Sequence, residues 1–222
     1  MATLFIVATP IGNLKDISQR AIEILGSVDL ILCEDTRTSK KLLDFYQIKT
    51  PLLSYHQHSD LKKINVILKQ LNEGKNVALI SDAGTPGICD PGGKLVELVT
   101  QNITNAQIIS IPGPSALTAA ISISGFDMQR FLFLGYLPKK KKRKKFLRII
   151  EKSEFPVVIF ESKFQIIKTL QDLANILGDE NRIFIARELT KIFEETFRGT
   201  ISQAIEYLEN KKPRGEYVVI IN

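Results

Sequence analysis

The chain predicts an α/β fold around a largely parallel sheet. Short apolar runs alternate with amphipathic stretches, the runs end in loops rich in glycine and proline, and no Ser-, Gly- or Pro-rich linker divides the 222 residues. Thr3 to Ala8 is strand-like, and Thr9-Pro10-Ile11-Gly12-Asn13 turns into a stretch with Leu14, Ile17, Ala21, Ile24 and Leu25 on one helical face. Val28 to Cys33 reads as the next strand; it ends at Glu34-Asp35-Thr36-Arg37, ahead of a helix with Leu42, Leu43 and Tyr46. Leu52 to Tyr55 is a short strand running into His56, and Ser59 or Asp60 is placed to cap a helix carrying Leu61, Ile64, Leu68 and Leu71. Val77 to Ile80 is a buried strand, followed by a loop from Asp82 to Gly93, a helix around Leu95 and Val99, and a strand from Gln107 to Ile111.

Pro112-Gly113-Pro114-Ser115 punctuates the chain again, with Ser115 as the N-cap of a helix from Ala116. After Gly125 the rhythm changes. Strands are expected at Phe131 to Leu134, Val157 to Phe160, Ile183 to Ala186 and Tyr217 to Ile221, and helices at Ile166 to Leu177 and Ile201 to Leu208. A domain boundary between Pro112 and Gly125 divides the chain into domains 1–114 and 115–222.

No apolar run approaches the roughly 20 residues of a membrane span. The start lacks the basic segment of a signal peptide, and Cys33 and Cys89 have no metal-binding spacing, so a reduced, cytoplasmic protein without a membrane partner is expected. The net charge of +6 has one source. Lys139 to Lys145 is an unbroken basic run with Arg143 inside it; without that run, 23 basic residues face 24 acidic ones. Such a run favours a densely anionic partner, and its place inside the chain suggests a substrate clamp rather than a detached tail.

The Asp82 to Gly93 loop is the most informative segment. It is too long and too costly in backbone entropy for a mere turn, and it lies at the carboxyl end of a strand, where open α/β sheets bind ligands. No two glycines stand two positions apart, which excludes the dinucleotide fingerprint, and Gly92-Gly93-Lys94 lacks P-loop spacing. Asp82 is placed to accept a hydrogen bond from a ribose hydroxyl or an amine, which suits a small nucleoside-containing ligand with few phosphates. Glu34, Asp35 and Arg37 form a second polar group, able to anchor a hydroxyl-bearing substrate and grip phosphate, or to serve as a helix cap with a first-turn ion pair. His56, His58 and Asp60 are a weak metal signal; no metal is expected, and substrate contact or base duty is open to His56.

Taken together these segments resemble the ribosomal small-subunit RNA ribose 2′-O-methyltransferase family, within the group that has the tetrapyrrole-methylase fold. The matching blocks are Thr9 to Leu14 with Asp16-Ile17, Glu34 to Arg37, Ser81 to Gly87 with Asp90-Pro91-Gly92, Pro112 to Ala116, Gly135 to Pro138, and Arg187 to Lys191. They run in order along nearly the whole chain. The resemblance implies a two-domain class III methyltransferase fold, mostly parallel in the first sheet and mixed in the second. It also implies S-adenosylmethionine in the cleft between the domains, a homodimer, and methylation of a cytidine ribose in 16S RNA of the small ribosomal subunit.

By the same resemblance Pro10 and Gly12 line the cofactor pocket, Asp82, Ala83, Gly84 and Thr85 form its floor, and Ser115 and Ala116 another wall. Phe160, Leu189 and Glu216 close it from the second domain. Glu34, Asp35, Arg37 and His56 lie where the family places polar groups near the substrate. Two departures stand out. Family members carry Glu-Ser-Pro-His-Arg where this chain has Glu161-Ser162-Lys163-Phe164-Gln165, and many continue beyond the position of Asn222, which throws more RNA binding onto the basic run. Residue types leave the proton acceptor open between His56 and the Glu34-Asp35 carboxylates. Two rivals are a tetrapyrrole or other small-molecule methyltransferase of the same fold and a non-catalytic RNA-binding assembly factor.

Overall fold

The computed structural model describes residues 2–56 and 61–222, which divide into two compact units, Met1–Ser115 and Ala116–Asn222. In the first unit, strands β1 (Thr3–Val7), β2 (Leu30–Cys33), β3 (Leu52–Ser54), β4 (Val77–Leu79) and β5 (Gln107–Ile111) alternate with helices α1 (Gln19–Ser27), α2 (Thr36–Phe45), α3 (Leu61–Asn72) and α4 (Gly92–Asn102). The strands pair in the order β3-β2-β4-β1-β5, and every pairing is parallel.

That order fixes where the helices go. The crossovers β1 to β2 to β3 move toward one edge and those from β3 to β4 to β5 return toward the other, so right-handed connections place α1 and α2 on one face and α3 and α4 on the opposite one. The buried side chains follow this division. Val7, Ile31, Cys33, Ala78 and Ile80 pack with Ala21, Leu25, Leu42 and Leu43, whereas Leu4, Leu32, Val77 and Leu79 pack with Ile67, Leu71, Leu95 and Val99. Alternate residues of one strand thus serve two cores, which is why the strands read as continuous apolar runs. Adjacent β4 and β1 send their following helices to opposite faces, which creates a switch point at their carboxyl ends.

The second unit holds α5 (Ala116–Ser124), β6 (Leu132–Tyr136), α6 (Arg143–Glu151), β7 (Val157–Ser162), α7 (Ile166–Leu177), β8 (Arg182–Arg187), β9 (Glu195–Thr200), α8 (Ile201–Lys211) and β10 (Glu216–Ile221). Its sheet is mixed, in the order β6-β7-β10-β8-β9, with β6 parallel to β7 and the remaining pairs antiparallel. Ile159, Ile166, Leu170, Leu173, Ile185, Ile201 and Val219 lie in its buried core. Among the described residues no helix is long and apolar enough to cross a membrane.

Several local expectations change. Strand β9 carries Glu195, Arg198, Gly199 and two threonines, a composition too polar to read as a strand; it is the edge beside β8, where one face is left to solvent. The proposed capping by Ser59 or Asp60 lies outside the described residues, as do two members of the His56, His58, Asp60 set. Helix α4 starts at Gly92, so the last two residues of the expected loop form its first turn. This is possible because Asp90 Oδ1 accepts hydrogen bonds from the Gly87 and Gly92 amides, both at 2.7 Å.

The basic run also divides. Arg143 is buried at 5% exposure, donating from Nε to Asp172 Oδ2 (2.8 Å) and from a terminal nitrogen to Thr169 Oγ1 (2.9 Å). Thr169 in turn donates to buried Glu161 (2.7 Å), whose other oxygen accepts the Ser162 amide. A guanidinium needs paired acceptors when buried. Arg143 therefore pins the run to α7, while its lysine neighbours stay exposed.

The close packing at Gly92 predicts a contrast between adjacent glycines. A β-carbon at Gly92 would lie 2.6 Å from the Gly87 nitrogen and 2.9 Å from Asp90 Oδ1, whereas one at Gly93 meets open space. Gly92→Ala should destabilise the chain by about 1–3 kcal/mol and Gly93→Ala by none, with a gain of up to about 1 kcal/mol from helix propensity. Urea unfolding midpoints of the two variants check this; equal midpoints would refute the tight loop.

Candidate cofactor and methyl-acceptor site

Each carboxyl end of the first sheet carries part of the expected site. Thr9 to Asn13 follow β1, Glu34 to Arg37 follow β2, His56 follows β3, Asp82 to Pro91 follow β4 and Pro112 to Ser115 follow β5. Thr9 and Gly84 form an antiparallel bridge, with reciprocal amide-to-carbonyl bonds of 2.9 and 3.0 Å. The buried Thr9 hydroxyl donates to the Ser81 carbonyl at 3.1 Å, and Ser81 Oγ donates to the Gly84 carbonyl at 3.2 Å. Thr85 Oγ1 donates to the Pro114 carbonyl at 3.2 Å, which ties in the third loop.

Gly84 has φ +81°, a conformation that L side chains rarely adopt, and that angle is what requires glycine, since a β-carbon there would meet Ile11 and the Pro114 carbonyl only at ordinary contact distance. The clasp buries Pro10 and Gly84 and leaves Gly12, Asp82 and Ala83 exposed, with Thr85 and Ser115 half-buried. Thr9, Ser81 and Asp90 fall in the matching blocks without an assigned role, and their hydrogen bonds shape these loops. An Asp before Pro-Gly-Gly is a turn signal that would have marked Asp90.

The acidic groups converge on the same place. Asp82 Oδ1 accepts the Asp35 amide at 3.1 Å, so the residues assigned to cofactor and to acceptor are neighbours. Burial raises the Glu34 carboxyl above its ordinary value, and the charges of Asp90 and Asp82 push it further up. Asp35 behaves oppositely. The Arg37 side chain holds it down at about 2, bonding it at 2.6 Å from one terminal nitrogen and at 3.0 Å from Nε, while Asp35 also caps α2 through the Arg37 amide at 2.8 Å. The helix-cap alternative is thus realised, and the Arg37 guanidinium is engaged with Asp35 while remaining exposed. His56 is exposed beyond edge strand β3. Burial raises the Cys33 thiol, and Cys89 is exposed.

In the second unit Leu189 is buried between Glu188 and Thr190, whose φ angles are +49° and +66°. Glu188 Oε1 accepts from Lys191 Nζ at 2.8 Å and from the Glu216 amide at 3.1 Å, so the Leu189 turn and Glu216 are held as one piece. Phe160 is half-buried on β7, edge-on to Phe133 and Tyr136 with ring centroids 5.0 and 5.6 Å away. Ala116 opens α5.

The donor set fits a cationic nucleoside cofactor. The loops after β1, β4 and β5 contain no basic residue, and the Glu34, Asp82 and Asp90 carboxylates lie together. Such a set disfavours a phosphate-rich ligand and favours one bearing positive charge. Asp82 is exposed, with Oδ1 accepting the Asp35 amide, and its carboxylate can accept from a hydroxyl or ammonium donor.

Comparison with known proteins shows the family and the fold. Residues 3–205 match the family model for tetrapyrrole (corrin/porphyrin) methylases. The chain is 48% identical to the ribosomal RNA small subunit methyltransferase I of Thermotoga maritima, over all of this chain and 99% of that protein. It is 44% identical to the Synechocystis protein of the same name, over all of this chain and 79% of that one. A crystal structure of diphthine synthase superposes with a TM-score of 0.76 at 11% identity, covering all of this chain and 89% of the other, which establishes the shared fold. The chain belongs to the tetrapyrrole methylase family, and within it to the relatives named ribosomal RNA small subunit methyltransferase I.

Proposed function

We propose that this chain is a cytoplasmic, homodimeric enzyme that methylates RNA of the small ribosomal subunit. The proposed methyl acceptor is the 2′-hydroxyl of a cytidine ribose in 16S RNA, and the donor is S-adenosylmethionine. The observation that carries this reading is the full-length likeness to relatives bearing that name. The acidic loops and the exposed lysines suit a cationic donor and an anionic substrate respectively.

In this reading Asp82 binds the donor's ribose or ammonium group, and Pro10, Gly12, Ala83, Gly84, Thr85, Ser115 and Ala116 present backbone groups and small surfaces to it. Phe160, Leu189 and Glu216 supply the contacts of the second unit. The chemistry that S-adenosylmethionine supplies when bound is an electrophilic methyl on a sulfonium. The protein aligns the acceptor and accepts its proton, since a ribose hydroxyl is a weak nucleophile. Glu34 suits proton acceptance better than Asp35, because burial and its acidic neighbours raise its proton affinity while Arg37 depresses that of Asp35. Asp35 and Arg37 then position the phosphate-bearing strand, and His56 contacts substrate at the sheet edge.

Incubation with radiolabelled S-adenosylmethionine and small ribosomal subunits should place one methyl on a ribose. Methyl transfer only to a base or to a tetrapyrrole would overturn the reading, and failure to bind the donor at all would favour an assembly factor. Asp82→Ala should weaken donor binding by about 10- to 100-fold by calorimetry, as expected for a lost charged hydrogen bond; unchanged affinity would remove Asp82 from the pocket.

The base assignment has a pH signature. Glu34 must be ionised to accept a proton, so the rate should fall as pH drops through a value above the ordinary carboxylate range of about 4.3. Glu34→Gln should slow transfer by about 10²- to 10⁴-fold and abolish that acid limb. An unchanged limb in this variant would hand the role to another group.

A further inference from the structure

Helix α6 carries charge well past the basic run. Lys145, Arg148, Ile149 and Lys152 recur at positions i, i+3, i+4 and i+7, which places them on one side of the helix and its C-cap. That side forms a wall of an open groove of about 630 Å³, with Leu132 and Phe155 also lining it. Glu154 is the acid among the lining residues. Lys145, Arg148 and Lys152 are exposed and form no ion pair among the described residues.

A serine turn fixes the Phe155 part of the lining. Ser153 donates its amide to the Ile150 carbonyl at 3.1 Å and its hydroxyl to the Phe155 carbonyl at 2.7 Å, and it accepts the Phe155 amide at 3.3 Å. Phe155 is consequently held with 44% of its surface exposed. Leu132 and Ile149, also in the lining, are half-buried and add apolar surface to the groove.

We propose that this groove is a binding site for an unpaired nucleotide of the RNA substrate, with phosphates on Lys145, Arg148 and Lys152 and the base stacked on Phe155. The inference rests on the RNA reading above and concerns residues other than those assigned to methyl transfer. Cations beside a presented aromatic ring match a single strand, whose bases are free to stack on protein and whose phosphates follow at short intervals. An A-form duplex keeps its bases stacked internally and has nothing to offer Phe155. An acidic protein surface would use the cations and leave the ring and the apolar lining unexplained. The Lys139 to Lys142 segment lies outside the groove lining and contributes charge without selecting single strands.

Phe155→Ser and the triple variant Lys145→Gln, Arg148→Gln, Lys152→Gln test this in the full chain with two probes, an unstructured RNA oligonucleotide containing 2-aminopurine and a duplex of equal length. Phe155→Ser should weaken oligonucleotide binding about tenfold or more, remove the fluorescence change of the stacked base, and leave duplex affinity alone. The triple variant should reduce the slope of log affinity against log salt by about 2 for the oligonucleotide. Thermal midpoints and donor affinity matching the parent chain would show that neither variant is misfolded. Parent-like oligonucleotide binding by Phe155→Ser, or equal losses on duplex and single strand, would overturn the proposal. Methyl transfer by the parent chain, measured separately, reports on the enzymatic reading, so failure of the one is distinguishable from failure of the other.

Discussion

Strand β1 lies between β4 and β5, and the rest of the first unit's chemistry depends on that placement. Parallel pairing sets the carboxyl ends of three neighbouring strands side by side, and the Thr9–Gly84 bridge extends the sheet's hydrogen bonding into the loops themselves. Loops with so much glycine would carry a large conformational entropy if left alone. Cross-loop bonds from Thr9 and Thr85, with Ser81 and Asp90 bonding within their own loop, restrict them while leaving Asp82 and Ala83 exposed. A pre-shaped site of this kind binds with less ordering cost at the moment of association.

Charge is arranged with a comparable division of labour. The first unit gathers Glu34, Asp82 and Asp90, and mutual repulsion together with burial makes Glu34 hold its proton more tightly. Asp35, next in sequence, is relieved of that repulsion by Arg37 and spends its oxygens on the cap of α2. Two adjacent carboxylates thereby acquire opposite characters, one able to take up a proton and one fixed as an anion. In the second unit, Arg143 shows how a run of like charges is tolerated: one member turns inward to Asp172, Thr169 and the Glu161 network, and the others remain in solvent where repulsion is screened.

The parts of this arrangement that were legible in the sequence are those written in periodicity and punctuation. Val77 to Ile80, Ile166 to Leu177 and the three glycine loops announce themselves because a buried strand, an amphipathic helix and a shaped loop each demand particular residue types. What stayed hidden depends on long-range partners. Nothing near Arg143 distinguishes it from its neighbouring lysines, since its acceptors Asp172 and Thr169 lie 29 and 26 residues away. Glu34 and Asp35 look interchangeable in sequence, and only their surroundings separate them. Strand β9 has a polar composition because it sits at an edge, and the start of α4 at Gly92 requires Asp90 to satisfy an amide that two glycines cannot.

Amide hydrogen exchange is the most direct test of the proposed donor site at the carboxyl ends of the parallel strands. Saturation with S-adenosylmethionine should slow exchange in residues 9–13, 82–87 and 113–115, while the amides at the opposite ends of the same strands keep their rates. Protection confined to those opposite ends, or none at saturation, would contradict the account.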